Sequence, residues 1–528
     1  MEKRVVVAVV LTFLVLVLYQ YFLTPPPPPT QVRQVTQKTD TSASKPSTAE
    51  PVTVKPQVMP AEEKEIRVET SLYSAVFTTR GGTLKAYSIK QYKNKTGENV
   101  SLLNNPGTKP PLGIGSKDYF ELSNANFAIT IPGGGASLNL DSGKPSGSLI
   151  FEYNNAGVAV KRTYTFKHDS YAIDIKDEVS GLNDYWITTG TDFGIHDVSD
   201  TSVHAGPVVL KDTDRIEFDL KKLDEVHSFR DGLKWIAQED KYFFASLVPA
   251  TPVEEAKVWK EKESAVVAFR AKSGTNSFIL YAGPKEYDHL KTLGAGLEHI
   301  VDFGFFSIIA IPLFWLLKLF YGFIGNYGWA IILLTIIVRI PFIPLVNKSQ
   351  SSMKKMQEIQ PRLAEVREKY KKDPKKMQLE IMEIYKKHKV NPVGGCLPIL
   401  LQIPVFFALY KILLLAIELR SAPFMLWIKD LSAPDTLFGH IPASIPLIGG
   451  FAVGPLPIVM GITMIIQQKM TPTSLDPRQN QIMMIMPVVF TFLFLNFASG
   501  LVLYWLMNNI FSIAQQFYAN KKLAKQAV

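Results

Sequence analysis

The chain changes its hydrophobic rhythm once. From Ile66 apolar positions alternate with polar ones, as in Ile66-Arg-Val68-Glu, Tyr73-Ser-Ala-Val76-Phe77, Val160-Lys-Arg-Thr-Tyr164-Thr-Phe166 and Tyr171-Ala-Ile173-Asp-Ile175. Period two marks strands with one buried face. Turn signals at Gly81-Gly82, Gly133-Gly134-Gly135 and Asn154-Asn155-Ala156-Gly157 separate these runs, and the spacing predicts an all-β sandwich over residues 61–300. From residue 303 the alternation gives way to long apolar runs at 303–324, 326–346, 396–417, 451–470, 482–497 and 500–519. A further run, Val5–Leu23, follows a short basic start and ends in Tyr19-Gln20-Tyr21-Phe22 before Pro25–Pro29. It exceeds the apolar part of a cleaved signal and reads as an uncleaved anchor over 1–23. Residues 24–60, rich in Pro, Thr, Ser and Gln, lack the apolar content of a core and form a linker.

Charge decides which runs cross a membrane. The segment Lys348–Lys389 holds 13 Lys or Arg against 6 acidic residues, which places it in the cytoplasm. Only Gly325-Asn326 separates the first two long runs, so if both crossed, this basic loop would lie outside. The conflict disappears if 301–325 is an amphipathic helix along the outer interface, for which Pro312, Trp315, Lys318 and Tyr321 are suited; a spanning helix is the alternative. The remaining runs with the anchor make six spans, with both termini cytoplasmic and the sandwich outside. The second span is 326–346, four more lie within 393–520, and a basic tail follows at 521–528. Within 347–392 two helical segments flank Lys371-Lys372-Asp373-Pro374 and form a hairpin. Met356, Ile359, Leu363 and Val366 of one arm are expected to face Leu379, Met382 and Ile384 of the other. The hairpin is either a solvated element whose lysines set topology or an arm that meets lipid headgroups, ribosomal RNA or an entering polypeptide.

Composition narrows the function. The net charge of +10 gathers in the hairpin and the termini, which speaks to a membrane surface rather than DNA. The single cysteine, Cys396, excludes an intrachain disulfide. His168, His196, His204 and His227 lack metal-ligand spacing, and no metal or other cofactor is expected. Asp and Glu are spread through the strands as on solvated faces, and Trp186, Trp235 and Tyr242-Phe243-Phe244 supply core volume. A structural or partner-binding domain is the simplest reading, with a carbohydrate-processing or carbohydrate-binding sandwich as the alternative.

The chemistry lies in the apolar half. Arg339 interrupts an apolar stretch, at a cost of at least ~2.5–3.5 kcal/mol for a charge at the centre of a span. Other polar residues of the spans are Thr335, Gln402, Gln467, Gln468, Asn508, Asn509, Gln515 and Gln516. Thr335 and Arg339 share a helix face. Arg339 stands nine residues before Lys348, roughly 13 Å below the cytoplasmic end. These groups suit one wet groove open to the cytoplasm; the alternative is an arginine snorkelling to the headgroups. A pore needs a polar route across the whole bilayer, a proton-coupled transporter needs intramembrane carboxylates, and an intramembrane protease needs a nucleophile or metal motif. None is present.

Asn326-Tyr-Gly-Trp-Ala-Ile-Ile-Leu-Leu-Thr-Ile-Ile-Val-Arg339, the stretch Asn391–Tyr410, Leu419-Arg-Ser-Ala-Pro-Phe-Met-Leu-Trp-Ile-Lys-Asp-Leu431 and Gly500-Leu-Val-Leu-Tyr-Trp505 resemble the YidC membrane protein insertases along the whole chain. The resemblance implies a polytopic α-helical membrane protein with a five-helix insertase core and a large extracytoplasmic β-sandwich, in a bacterial inner membrane. It implies no enzyme but an insertase and chaperone for nascent membrane proteins. On this chain the groove residues fall on Arg339, Thr335, Gln402, Trp505, Asn508 and Gln515, and the hydrophobic slide on Phe406, Met460 and Met464. Relatives often carry tyrosine where Trp505 stands. Expected partners are the Sec translocon, membrane lipids, and the ribosome and signal-recognition receptor at the basic hairpin and tail. An envelope scaffold working through the sandwich is the competing function.

Overall fold

The computed structural model describes residues 63–94, 96–104, 109–197, 200, 203–388, 397–445, 449–470 and 477–526. The predicted anchor 1–23, the linker 24–60, the loop around 471–476 and the last two residues of the basic tail lie outside the described residues.

The period-two region is a sandwich of two sheets. The smaller has five strands in the order Asn99–Ser101, Thr83–Lys93, Tyr73–Thr78, Glu65–Glu69, Ser137–Asn139, antiparallel except for the last pair. The larger has twelve strands around the long antiparallel pair Ala172–Thr188 and Ser264–Pro284. Aromatic residues join the layers: Phe77 packs on Phe151, Tyr164 and Phe166, and Tyr73 stacks between Tyr87 and Tyr171. The Tyr87 and Tyr164 hydroxyls cross between sheets, donating to the carbonyls of Ala282 and Gly82. Gly81 is required at its turn, because its φ is +72° and a Cβ would meet the Ser123 carbonyl oxygen at 2.6 Å.

Not every acidic residue of the sandwich sits on a solvated face, as the alternation had suggested. Asp177 is fully buried and takes both Nε and Nη2 of buried Arg162, at 2.7 and 2.8 Å, while Arg162 Nη1 donates to the Leu112 carbonyl. Glu239 is buried between Lys285 and Arg215. Trp235, Phe243 and Phe244 are core residues as expected; Trp186 lies in a separate small cluster with Phe120, Val266 and Ala268.

The helical part follows in chain order: α1 (Tyr287–Leu293), α2 (Ser307–Ile324), α3 (Tyr327–Arg339), α4 (Ile343–Glu358), α5 (Gln360–Lys369), α6 (Pro374–Lys387), α7 (Leu397–Leu415), α8 (Pro455–Met470), α9 (Pro477–Phe494) and α10 (Ser499–Gln526). By length and composition, Gly304–Ile324 and the continuous run Tyr327–Glu358 are each apolar enough to cross a membrane. The turn between them is tightly made. Gly325 adopts φ +69°, Asn326 Oδ1 accepts from the Trp329 amide, and Tyr321 stacks on Tyr327 at 3.8 Å. α2 packs Ala310, Phe314, Leu317 and Phe320 inward and exposes Ile308, Ile311, Trp315, Leu319 and Phe323. Both of its faces are apolar, which is why its sequence passes a test for a span as well as for an interfacial helix.

Two helices run across boundaries read from the sequence. No break occurs at residue 346: α3 passes through a 3-10 turn at Ile340–Phe342 directly into α4, which becomes the first arm of the hairpin. The last helix likewise continues to Gln526, so the described basic tail is helix. The hairpin forms with the expected Met356, Ile359, Leu363 and Ile384 inside, and differs on its second arm. Met356, Ile359 and Leu363 pack against Ile381, Ile384 and Tyr385, whereas Leu379 and Met382 are 71% and 51% exposed.

Candidate functional site

Two prolines prepare the position of Arg339. Pro341 and Pro344 lack the amide proton that an α-helix would donate to the carbonyls of Ile337 and Ile340, so the helix tightens into a 3-10 turn just past the arginine. From this point the half-buried guanidinium reaches α10. Nη1 donates to the Asn508 carbonyl at 3.1 Å and to Asn508 Oδ1 at 2.5 Å. Nη2 donates to Ser512 Oγ at 2.8 Å and Gln515 Oε1 at 3.2 Å. Gln515 Nε2 donates onward to Asn347 Oδ1 at 2.8 Å. Among the described residues no carboxylate pairs with Arg339, and all four of its acceptors are neutral.

The polar line continues to α7, where Gln402 Nε2 donates to the hydroxyl of buried Tyr504. Tyr504, Asn508, Ser512 and Gln515 are spaced by four, four and three residues and so form one stripe along α10. Thr335, one turn before Arg339, is buried and donates to the Ile331 carbonyl of its own helix at 2.7 Å. It shapes the wall without joining the hydrogen-bonded line.

Trp505, placed in the groove by the resemblance, stands one residue around the helix from that stripe. It meets Phe406 of α7 at 5.1 Å and Phe490 and Phe494 of α9 at 6.0 and 5.3 Å. Asn509 and Gln516 share its face and bind α8, through Thr463 Oγ1 at 3.1 Å and the Met470 carbonyl at 2.5 Å. The paired residues Asn508/Asn509 and Gln515/Gln516 therefore divide between two neighbours. Met460 is fully buried beneath this contact and Met464 is half-buried, while α8 and α9 expose Ile458, Ile462, Ile466, Ile485, Val488 and Phe492. Ser512 and Tyr504 were missed by the sequence reading; the periodic stripe on α10 was the signal that held them. Lys411, another cation within an apolar helix, was also missed and lies beside Gly304, close enough to Glu217 of the β domain to act on its charge.

The site has the chemistry of a binding surface. It offers a fixed cation with exchangeable neutral acceptors, a hydroxyl–amide pair, and an aromatic wall of Phe406, Phe490, Phe494 and Trp505. Among the described residues no group of His, Cys, Asp and Glu is arranged to hold a metal.

Comparison with known proteins gives a consistent result. Residues 65–316 match the family model described as the YidC periplasmic domain, and residues 319–526 match that of the 60Kd inner membrane protein. The membrane protein insertase YidC of Syntrophus aciditrophicus (strain SB) is 41% identical over 487 residues, covering 87% of this chain and 86% of the relative. That of Geotalea daltonii (strain DSM 22248 / JCM 15807 / FRC-32) is 38% identical over 559 residues, covering 99% and 100%. A crystal structure of an active YidC insertase with its first transmembrane domain resolved is 21% identical, covers 88% of this chain and 95% of that one, and has a TM-score of 0.39.

Proposed function

The chain belongs to the YidC family of membrane protein insertases, and on that premise we propose that Arg339 is the foothold by which it receives an entering polypeptide. The protein is an inner-membrane insertase with a periplasmic domain, and no enzyme. The single observation that carries the finer reading is that, among the described residues, Arg339 rests on neutral oxygens alone. A carboxylate arriving on a hydrophilic tail exchanges with Ser512 and Gln515 for a charge-assisted, bidentate pair, which is the stronger bond. The tail is held there while the adjoining apolar segment leaves for lipid past Phe406, Trp505 and Met464, with Met460 supporting that wall from beneath. Gln402, Tyr504 and Thr335 line the same groove. Burial of the new span in hydrocarbon supplies the free energy, and the groove lowers the cost of desolvating the tail.

The same proposal gives six spans with both termini in the cytoplasm, α2 along the periplasmic interface, and the α4–α6 hairpin in the cytoplasm with its excess of basic residues. Lysines of the hairpin and tail then meet headgroups, the ribosome and the signal-recognition receptor, and the spans cooperate with the Sec translocon. Insertion of a small client with an acidic translocated tail tests the central step. Arg339→Ala is expected to impair it and Arg339→Lys to impair it much less, with a client of neutral tail affected least. Equal insertion of the acidic client by Arg339→Ala and the parent protein would overturn the charge-attraction step.

A further inference from the structure

One motif of the sequence, Leu419–Leu431, has no part in the groove. It follows α7 on the side of the β domain, where Arg420 Nη2 donates to the Lys93 carbonyl at 2.7 Å. Since that domain is periplasmic, the motif lies at the periplasmic ends of the helices. Its fold is held by hydrogen bonds. The Phe424 amide donates to the Ile428 carbonyl and the Ile428 amide to that of Met425, and Asn326 Nδ2 donates to the carbonyls of Pro423 and Phe424. Buried Asp435 accepts from Trp427 Nε1 at 3.0 Å and from the amides of Leu456 and Leu437 at 2.9 and 3.3 Å. Farther along, Phe438 and Ile441 donate to the carbonyls of Val453 and Phe451.

This hydrogen-bonded cap presents apolar side chains outward. Leu426 is 79% exposed and Phe438 64%, with Met425, Leu437 and Ile445 also exposed. Leu426 moreover holds φ +56°, a left-handed conformation that glycine or asparagine would adopt more easily. Neither internal packing nor backbone ease accounts for an exposed leucine there, so its side chain is kept for something outside the chain. The patch is continuous with the apolar surface of the helices. Phe424 packs on Trp329, in the first turn of α3, at 5.5 Å, and both Trp329 and Phe323 of α2 are exposed. None of the five exposed tip residues is charged, and Lys429, exposed beside them, suits a phosphate headgroup.

We propose that Met425-Leu426 and Leu437-Phe438 form a wedge that enters the headgroup–acyl boundary of the outer leaflet. The occupant of the patch is lipid, because the patch extends the surface by which an inner-membrane protein already meets lipid. Through the bonds from Asn326 to Pro423 and Phe424, the wedge fixes the height of α3 in the bilayer, and hence the depth of Arg339.

The test uses the full-length protein carrying Cys396→Ser and one new cysteine, at Leu426, Phe438 or, as a control on the β domain, Lys222. Each is labelled with a polarity-sensitive fluorophore and reconstituted in phosphatidylethanolamine–phosphatidylglycerol vesicles with brominated acyl chains. The labels at Leu426 and Phe438 are expected to lose fluorescence to the bromolipid and to be shielded from aqueous iodide, while that at Lys222 shows the reverse. Behaviour like that of Lys222 would overturn the proposal. Shielding from both quenchers would overturn it too, in favour of a protein partner or a second copy. Leu426→Asn, which tolerates the left-handed backbone, is expected to reduce bromolipid quenching at Phe438; unchanged quenching there would refute the seating role of Leu426. The readout is optical, so failure of the groove mechanism leaves it intact.

Discussion

A buried or half-buried cation is tolerated when its donors are taken, and Arg339 and Arg162 meet that condition differently. Arg339 is held by neutral groups and stays available to a partner; Arg162 is locked to Asp177 with no access to solvent. Arg339 was legible in the sequence because a single charge interrupts an apolar run. Two of the three residues that accept from it were legible as well, Asn508 and Gln515, but not Ser512, and Trp505 faces the aromatic wall beside their stripe. The reason is angular: neighbouring residues on a helix point about 100° apart, so adjacent pairs such as Asn508/Asn509 need a partner helix before they can be assigned. Arg162 was illegible, since alternation labels a face as polar without saying whether it is covered. Removing one partner of a buried pair leaves the other charge unpaired, and Asp177→Asn is expected to destabilise the periplasmic domain by about 3–5 kcal/mol. Denaturant unfolding of the solubilised protein measures this, and a change below experimental error would show that the pair is dispensable. Asp192 makes a pH-dependent prediction. Burial pushes its carboxyl above the ordinary range, against the hydrogen bond from Ser264. The folded domain therefore holds that proton more tightly than the unfolded chain does, and this contribution to stability is present at low pH and lost as pH rises through the acidic range. Asp192→Asn should flatten that part of the stability–pH curve; an unchanged slope would assign it to another group.

Elements were more legible than their faces. The alternating runs became strands close to their expected limits, and the hairpin formed on either side of Asp373-Pro374, where Asp373 Oδ1 caps α6 by accepting from the Lys376 amide. What composition did not determine was which of two apolar stripes on α6 turns inward. Ile381, Ile384 and Tyr385 do, and Leu379 and Met382 turn out with Lys375 and Lys386 on the same face. Positions 375, 379, 382 and 386 follow helical spacing as well as the inner set does, so the choice depends on packing across the hairpin. Leu363→Ala, which opens the buried contact, is expected to cost about 2–5 kcal/mol of hairpin stability. Leu379→Ser and Met382→Ser should stay within about 0.5 kcal/mol. Protease protection of the hairpin in the full-length protein separates the two. If Leu379→Ser exposes it as much as Leu363→Ala does, the inner face is wrongly assigned.

At the scale of the whole molecule the question is whether the sandwich and the helices form one working unit or two joined ones. The joint between them has polar and apolar parts: one continuous buried cluster runs from the sandwich into the helices, with Phe303 between Tyr287 and Phe314. Lys318 of α2 bridges Asp288 at 2.5 Å and Glu418 at 3.4 Å, and Tyr92 of the sandwich donates to Glu286 at 2.8 Å. Arg420 lies over the rings of Tyr242 and Phe243 while it binds Lys93. By contrast, the groove is built wholly from α3, α4, α7 and α10, and the aromatic wall from α7, α9 and α10; no strand supplies a side chain to either. Ion pairs with exposed partners contribute little to stability, and the apolar side chains Tyr287, Leu290 and Phe303 that join the buried cluster to α2 all lie after the last strand. Deleting Glu65 to Pro284 while keeping α1 and everything after it is therefore expected to preserve insertion of a small single-span client, at the cost of a lower unfolding temperature for the helical part. Arg420→Ala should reproduce part of that loss of stability, with insertion unchanged. A truncated protein that remains helical and membrane-bound yet inserts nothing would place part of the working site in the sandwich, and would revive the reading in which that domain acts on its own ligand.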